Sequence, residues 1–593
     1  MISKFGDFRD KLFKLEENEG KSKVLDLGEA IRRYVKPGMK VHISDRANAA
    51  ASELIRQFHE TKPHFTLIAM VVSEQVSNLV HCGLVEKAIT STCTEIYPTP
   101  GPNKVIQRAL RDKALELENW SLLSLCQRLM AGALDLPFMP TKSLSGSNLA
   151  GENHSSFHEI SDPFGSSTKI GIVKALNPDI SLIHGWAADP SGNVIAAPYP
   201  VSGEDGWGAK ASQTGVLVTV EHIVSSQFIR EHPTMVTIPS CIVNSVSLVP
   251  MGAHPWSMAT NFGISEFKPY RDDFEFINER RQASRNSEDL DLWIKNWVLD
   301  CPDHNSYLSK LGEERILTLK KQATLDSWKD NPALDAISHS PSYNPREMMV
   351  VAAARRLEEL VLDKGYKGVL FGTGTSCLVG YLTYYKLKQR DLDIELWLGG
   401  TGCYGISPRP SSSIYPIYCD PPSVSTSKMI TDVVDIYGVF FGGKQRNSIA
   451  ILSTAQVDKY GNLNSTRISA DSFLIGSGGG NDAANGKEIL LMLPQSRDKL
   501  VDNVYYVTCP GAKVRTLVTD RGIFQKQDEE FVLTNYFPAP TITSPREAIS
   551  QIRETCGWEL KISPQVTEIS PPSLEELILL RTFDPQGYFT KVD

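Results

Sequence analysis

A glycine-rich run in the last third of the chain has the composition of a loop that binds an anion. The run, Gly476-Ser-Gly-Gly-Gly-Asn-Asp482, follows the apolar residues Phe473-Leu-Ile475. Glycine lacks a Cβ, so several backbone N–H groups can converge on one point, which suits an anion or the oxyanion of a carbonyl group. Plain turns share this composition, and the spacing is not that of a phosphate-binding P-loop.

A second glycine motif, Gly372-Thr-Gly-Thr-Ser376, stands between an apolar strand pattern and a helical pattern. Backbone donors at such a turn can bind a ligand in an α/β sheet, although a tight turn without chemistry has the same pattern. Two polar loops in the first half, Thr92-Cys-Thr94 and Ser145-Gly-Ser-Asn148, either serve a site or cap helices. His184 and His254, at predicted strand ends, are more typical of structural histidines than of a general base.

The composition excludes several classes of protein. Of the 593 residues, 41% are hydrophobic and 22% are charged, which is typical of soluble globular proteins. A chain of this length is expected to form several domains. The formal net charge of −8 does not favour nucleic acid as a partner, because phosphate backbones require clustered positive charge. No apolar run reaches the roughly 18 residues of a membrane-spanning helix. We therefore expect no nucleic-acid partner and no membrane partner.

Cysteine and histidine spacing argues against disulfides and metal sites. The ten cysteines are scattered, with no C-x-x-C pair and no paired histidine ligands, which is typical of a chain in a reducing compartment. The first residues mix charged and apolar side chains at helical spacing and lack the apolar core of a signal peptide. We predict no metal, a cytoplasmic location and an N-terminal helical extension over residues 1–21.

Short apolar runs rich in valine and isoleucine alternate with helical patterns along the chain. The predicted strands include Lys40–Ser44, Thr66–Val72, Ile180–His184, Gly215–Val220 and Gly368–Gly372. This alternation is typical of buried parallel strands connected by helices. The predicted fold class is α/β, with mostly parallel sheets flanked by helices.

The same order of elements occurs twice. A helical pattern that ends at Gly38 leads into one predicted strand, and a helical pattern that ends at Gly365 leads into another. Later in each half, a predicted strand runs into an Asp-x-x-Gly-Asn turn, which begins at Asp189 and at Asp458. We therefore predict two related α/β halves in tandem.

The predicted boundaries place the first half at residues 22–320 and the second at residues 346–593. The stretch between them, residues 321–345, contains three prolines and no sustained apolar period. That composition is typical of a linker, and a surface loop within one domain is the alternative.

Further motifs occur in order along both halves. In the first half they include Tyr97-Pro-Thr-Pro-Gly-Pro-Asn103, Glu118-Asn-Trp-Ser121 and Gly252-Ala-His-Pro255. In the second half they include Ala455-Gln-Val-Asp-x-Tyr-Gly-Asn-x-Asn-Ser-Thr466 and Val518-Thr-Asp-x-Gly-Ile-Phe524. Together with the glycine motifs, they resemble class I CoA-transferases of the glutaconate CoA-transferase type, with the α-like and β-like subunits fused head to tail. The resemblance covers about residues 22 to 320 and 346 to 590.

The resemblance implies an enzyme that binds an acyl-CoA, or a related pantetheine thioester, at the contact between the halves. Coenzyme A is then part of the substrate, no cofactor is permanently bound, and we expect a homo-oligomer of the fused chain. The resemblance implies catalytic roles beside the thioester for Gly478, Gly479, Gly480 and Asn481. The implied substrate-binding residues are Thr92, Cys93, Thr94, Ser145, Gly146, Ser147, Asn148, Gly372, Thr373, Gly374 and Thr375.

The nucleophile of the resembling transferases is missing. In that family a glutamate of the β-like half attacks the acyl-CoA and then forms a glutamyl-CoA thioester, which is covalent catalysis by a carboxylate. The matching stretch places Gly400, or Gly399, at this position, and no acidic residue occurs between Leu396 and Cys419. We predict that Gly399 and Gly400 leave space that a substrate can occupy.

Two other residues near the gap remain candidates for a catalytic role. Glu395 lies four or five residues upstream, well over 10 Å away along an extended strand at roughly 3.3 Å per residue. Cys403 lies just beyond the gap, where it is either a nucleophile or a buried, inert thiol.

Without the glutamate, the double-displacement exchange of CoA should not run in its usual form. Members of the family that lack this residue are similar to decarboxylases of unsaturated diacyl-CoA esters or to hydrolases that cleave a C–C bond in an acyl-CoA. We therefore favour non-covalent decarboxylation or hydrolytic C–C cleavage of a carboxyl-bearing acyl-CoA, which both need a stabilised thioester enolate. Two alternatives stay open, namely a CoA transferase and a non-catalytic acyl-CoA-binding scaffold.

Overall fold

The computed structural model describes residues 8–196, 203–411, 421–444, 447–538 and 544–592. Residues 8–12 are helical, and residues 1–7 of the predicted N-terminal extension lie outside the described residues, as does Cys419. The strands of the first half are β1 Lys40–Ile43, β2 Phe65–Val72, β3 Val85–Glu95, β4 Gly101–Pro102, β5 Glu116–Asn119, β6 Phe138–Thr141, β7 Phe157–Ser161, β8 Lys169–Lys174, β9 Ile180–Ala188, β10 Val194–Ala196, β11 Val216–Ile223 and β12 Val243–Leu248.

The second half contributes a further set of strands. They are β13 Gly368–Phe371, β14 Glu395–Leu398, β15 Cys403–Tyr404, β16 Met429–Ile430, β17 Ser448–Leu452, β18 Gln456–Asp458, β19 Leu463–Asn464, β20 Arg467–Ser469, β21 Ser472–Phe473, β22 Glu488–Met492, β23 Leu500–Val501, β24 Val514–Val518, β25 Gly522–Gln527, β26 Glu530–Tyr536 and β27 Lys561–Glu568.

Helices connect these strands. They are α1 Leu27–Tyr34, α2 Asn48–Phe58, α3 Ser77–His81, α4 Lys104–Arg111, α5 Leu122–Ala133, α6 Asn148–Glu152, α7 Glu204–Ala211, α8 Ser226–Glu231, α9 Phe274–Ala283, α10 Ser287–Ile294, α11 His304–Leu311, α12 Glu313–Lys321, α13 Pro332–Asp335, α14 Pro345–Lys364, α15 Thr375–Lys388, α16 Pro421–Val424, α17 Gly480–Ala483, α18 Pro545–Glu554 and α19 Leu574–Phe583. Two π-helical segments occur at Lys295–Leu299 and Val434–Phe441. Among the described helices, none combines the length and the apolar character needed to cross a bilayer.

The sheet of the first half has nine strands. Its order is β12-β11-β9-β1-β2-β3-β4, with β10 paired to β9 and β5 paired to β3. The central pairs are parallel, and β4 and β10 are antiparallel to their neighbours. Every residue of β9 is buried, as expected for a strand covered on both faces of a parallel sheet.

The sheet of the second half has ten strands in the order β16-β15-β14-β13-β17-β22-β24-β25-β26-β27. The run from β14 to β24 is parallel, and β25 and β26 extend it as antiparallel strands. The predicted α/β fold with two related halves is therefore confirmed.

The two Asp-x-x-Gly-Asn turns have matching hydrogen bonds. Asp189 Oδ1 accepts from the backbone N–H of Asn193 at 2.9 Å, and Asp458 Oδ1 accepts from that of Asn462 at 2.9 Å. In both turns the glycine has a positive φ, which favours a residue without a Cβ. The repeated motif of the sequence is therefore a repeated local structure.

The halves share a hydrophobic core. One buried cluster contains Trp120 and Leu122 from the first half and Leu370 and Phe441 from the second. A second cluster joins the surroundings of Trp256 to α14 and β13. Since apolar burial stabilises a fold in proportion to the area removed from water, the contact between halves contributes to folding as well as to a site.

The stretch predicted as a linker packs against the second half. It contains a 3₁₀ turn at Ser327–Asp330 and the short helix α13. The Arg581 guanidinium donates hydrogen bonds to the carbonyls of Ser338, Ser340 and Ser342. The boundaries of the two halves stay a prediction.

Candidate functional site

A cavity of about 230 Å³ lies between the two halves at the carboxyl ends of their parallel strands. Ligands of α/β proteins bind at this edge of the sheet, because loops and helix N-termini meet there. The first half contributes Thr92 and Thr94 from β3. The second half contributes Gly372 and Thr373 after β13, Gly399 and Gly400 after β14, and Gly478, Gly479 and Gly480. Nine of the predicted site residues therefore meet around one cavity.

The N-terminus of α15 opens onto this cavity. The helix begins after Gly374, whose φ is +84°, and no side chain caps its first turn. Thr373 and Ser376 line the cavity on either side of the helix start. Uncapped first-turn N–H groups and the helix dipole favour an anion or a polarised carbonyl oxygen at this end.

The glycine loop mainly holds the halves together. Its amides donate to acceptors inside the protein, namely Gly476 to the Ser465 carbonyl, Ser477 to Asn119 Oδ1, Gly478 to the Ser91 carbonyl and Gly480 to the Ser477 carbonyl. Within residues 476–480 the Gly479 N–H is left without an acceptor among the described residues. The sequence predicts several converging donors, whereas in the structure only the Gly479 amide of these residues has no acceptor, and Gly479 lines the cavity.

Asn481 lies behind the cavity wall. Its Oδ1 accepts from the Leu144 N–H at 2.7 Å and its Nδ2 donates to the Thr508 carbonyl at 2.9 Å. The neighbouring Asp482 accepts from the Leu123 N–H at 3.0 Å and from the Ser143 hydroxyl at 2.6 Å. Burial raises the pKa of the Asp482 carboxyl to about 6. Both side chains fasten the glycine loop to the first half.

Four further predicted residues, Ser145, Gly146, Ser147 and Asn148, lie at the contact between halves and not on the cavity wall. Asn148 exchanges hydrogen bonds with the Val507 backbone, and Gly146 packs against Pro510. Cys93 is fully buried, and its N–H donates to the Ile475 carbonyl at 2.9 Å. Gly374 and Thr375 form the start of α15. These residues position the site without facing the cavity.

The two adjacent glycines on the wall differ in the space around them. A Cβ on Gly400 would meet only Leu122 Cδ1, at 3.4 Å. A Cβ on Gly399 would overlap with the hydroxyl of Tyr437, which also lines the cavity. Gly400 therefore has room for a side chain, whereas the space beside Gly399 is filled by the phenol of Tyr437.

Glu395 and Cys403 lie away from the cavity wall. Glu395 begins β14, and its carboxylate pairs with Lys428 Nζ at 2.7 Å. Cys403 lies in β15, where burial raises the pKa of its fully buried thiol. A neutral thiol is a poor nucleophile. Cys403 pairs with Leu398, beside Gly399, but neither Cys403 nor Glu395 lines the cavity.

Sequence reasoning missed a charged group at one end of the cavity, formed by Asp45, Arg46 and Asp272. Arg46 Nη1 lies 2.9 Å from Asp45 Oδ2, and its guanidinium stacks over the Trp256 ring at 5.7 Å from the centroid. Burial raises the pKa of both the Asp45 and the Asp272 carboxyl, and Arg46 opposes that rise. Asp45 and Arg46 follow β1 almost directly, and this position after a buried strand is the signal that could have identified them.

The two histidines noted from the sequence are fully buried or nearly so, and both have partners. His184 bonds to the Thr219 hydroxyl and to Glu221 at 3.0 Å, and His254 bonds to Tyr307 and to Asp273 at 3.0 Å. Neither residue lines the cavity between the halves. Both are structural histidines in this fold.

Comparison with known proteins places this architecture in a class. Residues 24–248 match the family model described as coenzyme A transferase. The solved apoenzyme structure of the acyl-CoA transferase YdiF from Escherichia coli O157:H7 superposes with a TM-score of 0.65 over 96% of this chain and 98% of that chain, at 16% identity. That likeness demonstrates a shared fold.

Two curated relatives are similar in sequence. One polypeptide of the glutaconate CoA-transferase of Acidaminococcus fermentans is 29% identical over 325 residues, which is 50% of this chain and 95% of the relative. One polypeptide of the 3-oxoadipate CoA-transferase of Pseudomonas knackmussii is 28% identical over 271 residues, which is 41% of this chain and 94% of the relative. The predicted membership of the class I CoA-transferase family is confirmed, and the chain is a CoA-transferase family enzyme.

Proposed function

We propose that the chain binds a carboxyl-bearing acyl-CoA, or a related pantetheine thioester, and decarboxylates it or cleaves a C–C bond in it by hydrolysis, without a covalent intermediate. The observation that carries this proposal is the cavity wall at Gly399 and Gly400, because the sequence motifs predict the nucleophilic glutamate of the resembling transferases at one of these two positions. A glycine cannot form an acyl anhydride, so the covalent route lacks its first step.

The size of the cavity and the donors on its wall support a thioester as the ligand. Its volume of about 230 Å³ is below the roughly 300–1,000 Å³ of pockets that enclose a drug-sized molecule. It therefore suits the acyl group and the thioester, with the rest of coenzyme A outside. The start of α15 and the Gly479 N–H supply donors for a carbonyl oxygen.

The thiols near the cavity support a non-covalent route. Cys509 lines the cavity, and burial raises the pKa of its thiol to about 12. Cys403 is buried away from the wall, and its pKa is raised too. A thiol reacts as its thiolate, so neither group is an active nucleophile at neutral pH.

Arg46 supports an acyl group that carries a carboxylate. It is a buried cation on the cavity wall, and arginine pairs well with carboxylates. Its partners Asp45 and Asp272 both have raised pKa values. When one of these acids is protonated, a substrate carboxylate can take its place beside the guanidinium.

A second candidate function is CoA transfer between an acyl-CoA and a carboxylate. Asp45 and Asp272 favour it, because they are carboxylates that line the same cavity. One of them would have to form the acyl anhydride that the missing glutamate forms in the resembling enzymes.

Four further expectations belong to this proposal. Coenzyme A is part of the substrate and no cofactor is permanently bound. Residues 22–320 and 346–593 are the two functional halves. The fused chain assembles as a homo-oligomer, which light scattering after gel filtration would test. The location is cytoplasmic.

The experiment that tests the proposed function is a product screen. The protein is incubated with a panel of dicarboxylic and branched acyl-CoAs, with and without acetate, and the thioesters are identified by mass spectrometry. We expect loss of CO2 or cleavage with addition of water, and the same products without acetate. Acyl exchange onto acetate would contradict the proposal, and tight binding with no product from any thioester would indicate a scaffold.

A cavity-filling variant is the matched control for this screen. Gly400→Ala adds one carbon where there is room, whereas Gly400→Leu fills the cavity from the same backbone position. We expect turnover to persist in the alanine variant and to fall at least about tenfold in the leucine variant, because the acyl group and the leucine would compete for one space. Equal turnover in both variants would place the reaction elsewhere.

A further inference from the structure

Tyr437 places a hydroxyl between the two glycine segments of the cavity wall. A Cβ on Gly399 or on Gly479 would overlap with this hydroxyl, so its oxygen lies against both backbones. The tyrosine belongs to the π-helical segment Val434–Phe441. π-Helical turns are rare in proteins and are frequently found at functional sites.

The Tyr437 hydroxyl is free to bind a ligand. It has no hydrogen-bond acceptor among the described residues, while the residue as a whole is only 6% exposed and packs in the shared core of the halves. Burial raises the pKa of Tyr437, so the hydroxyl keeps its proton at neutral pH and can donate it to an acceptor.

The Gly479 N–H is the other donor at this place. It is the amide of the glycine loop that no described residue accepts from, and it belongs to the residue that the Tyr437 hydroxyl touches. Both donors belong to residues that line one cavity and lie against each other, and two adjacent donors can stabilise a developing oxyanion.

We propose that Tyr437 is a catalytic residue whose O–H, together with the Gly479 N–H, donates a hydrogen bond to the thioester carbonyl oxygen of the bound acyl-CoA. This inference rests on the proposed function and names the group that replaces covalent catalysis. In this proposal the site stabilises negative charge on the carbonyl oxygen. The resembling enzymes instead form a covalent bond between their glutamate and the carbonyl carbon.

Tyr437 acts only as a hydrogen-bond donor and keeps its proton throughout the reaction. In a decarboxylation, the electron pair of the breaking C–CO2 bond moves to the thioester oxygen, CO2 leaves, and the resulting enolate takes a proton from water. In a hydrolytic cleavage, water first adds to the carbonyl carbon that is to be released. The electron pair of the C–C bond then moves to the thioester oxygen, that carbon leaves as a carboxylic acid, and the enolate carbon takes a proton.

The first test is the substitution Tyr437→Phe, which removes the hydroxyl alone. We expect kcat to fall about 100-fold or more, as for the loss of one oxyanion donor in other enzymes, with KM within about threefold. The melting temperature should stay unchanged, because no hydrogen bond within the protein is lost. Unchanged kcat in a turning-over enzyme would overturn the inference and leave the proposed function intact.

Tyr366→Phe is the matched control. Tyr366 is as buried as Tyr437, but its hydroxyl donates to Glu488 at 2.8 Å and does not line the cavity. We expect a lower melting temperature with unchanged kcat, the reverse of the Tyr437→Phe result. If both variants changed alike, the effect of Tyr437 would be structural.

The second test needs only binding. Acetyl-CoA has the carbonyl oxygen, and S-ethyl-CoA lacks it. We expect the wild-type protein to bind acetyl-CoA about 2–10-fold more tightly in calorimetry, the worth of one hydrogen bond, and Tyr437→Phe to bind both alike. Equal affinities in the wild type, or a preference that survives in the variant, would overturn the inference, and no binding of either probe would overturn the proposed function as well.

Discussion

Gly399 and Gly400 are adjacent on the cavity wall, yet only one of them has room for a side chain. Gly400→Ala should leave the free energy of unfolding within about 0.5 kcal/mol of the wild type, as substitutions without a clash do. Gly399→Ala should lower it by about 1–3 kcal/mol, the usual effect of overpacking, because its Cβ would displace the Tyr437 hydroxyl. Urea unfolding of both variants checks this, and equal stabilities would show that Tyr437 does not occupy this space.

The open position at Gly400 also permits a gain of function. Gly400→Glu should return a carboxylate to the cavity, and with an acyl-CoA it should form a protein-bound CoA thioester, as in the resembling transferases. Gly400→Gln, of the same size without the carboxylate, should form none. Mass spectrometry after borohydride treatment would detect the adduct, and its absence in both variants would mean that the missing glutamate lay elsewhere.

The sequence predicted the backbone segments of the site better than it predicted the side chains that line it. The glycine motifs sit at strand ends, and a strand end can be recognised from local pattern, so nine predicted residues meet at the cavity. Tyr437 and Asp272 come from distant parts of the chain and reach the cavity only through tertiary packing. No local pattern marks the π-helical turn that aims Tyr437 at the glycines.

At the scale of elements, the contact between α5 and α17 depends on one buried carboxylate. Asp482 in α17 accepts from the amide of Leu123 in α5 and from Ser143. Its folded pKa of about 6 lies above the ordinary value of 3.8 because burial disfavours the charge. The folded state therefore binds the proton more tightly, and the stability from this group is full below about pH 4 and is lost as the pH rises through 6.

Asp482→Asn should therefore change how stability depends on pH. The neutral amide resembles the protonated carboxyl, so the variant avoids the charge that the wild type buries at high pH. The free energy of unfolding of the wild type, relative to the variant, should fall by roughly 2 kcal/mol between pH 4.5 and pH 8, because each pKa unit is worth about 1.4 kcal/mol and part of the shift is already lost at pH 4.5. Urea unfolding at the two pH values measures the gap, and a constant or widening gap would contradict the assignment.

Strands with a strong apolar pattern could be located from the sequence to within a few residues. The predicted strand at Thr66–Val72 is β2, Phe65–Val72, and that at Gly368–Gly372 is β13, Gly368–Phe371. The antiparallel extension from β24 to β26 could not, because pairing between strands depends on contacts that a local pattern does not record. Parallel strands that are buried on both faces are the easiest to predict, because they appear in the sequence as continuous apolar runs.

At the scale of the whole molecule, the halves are joined by a common core as well as by a covalent link. We expect residues 22–320 to be unfolded or insoluble when expressed alone, because core residues such as Trp120 and Leu122 pack against the second half. A chain divided between Leu325 and Asp326, both exposed, should reassemble at one to one when the pieces are co-expressed. Gel filtration and circular dichroism would test this, and a folded, soluble first half would show that the shared core is dispensable.

The tandem organisation could be predicted because each half repeats recognisable motifs, including the two Asp-x-x-Gly-Asn turns. The way the halves meet could not, since the glycine loop appears in the sequence as a ligand-binding loop and most of its amides bind the opposite half or its own turn. One segment thus serves both the assembly of the molecule and the wall of its cavity.

The intact mass of the protein after incubation with an acyl-CoA tests the central claim most directly. The claim is that the cavity acts on the thioester by hydrogen bonding, with no carboxylate nucleophile at Gly399 or Gly400. We predict that acyl-CoA is converted while the mass of the protein stays unchanged, with or without borohydride. A CoA or reduced adduct on the wild-type chain, mapped by peptide analysis to Asp45, Asp272 or Glu395, would contradict the account and establish covalent transfer.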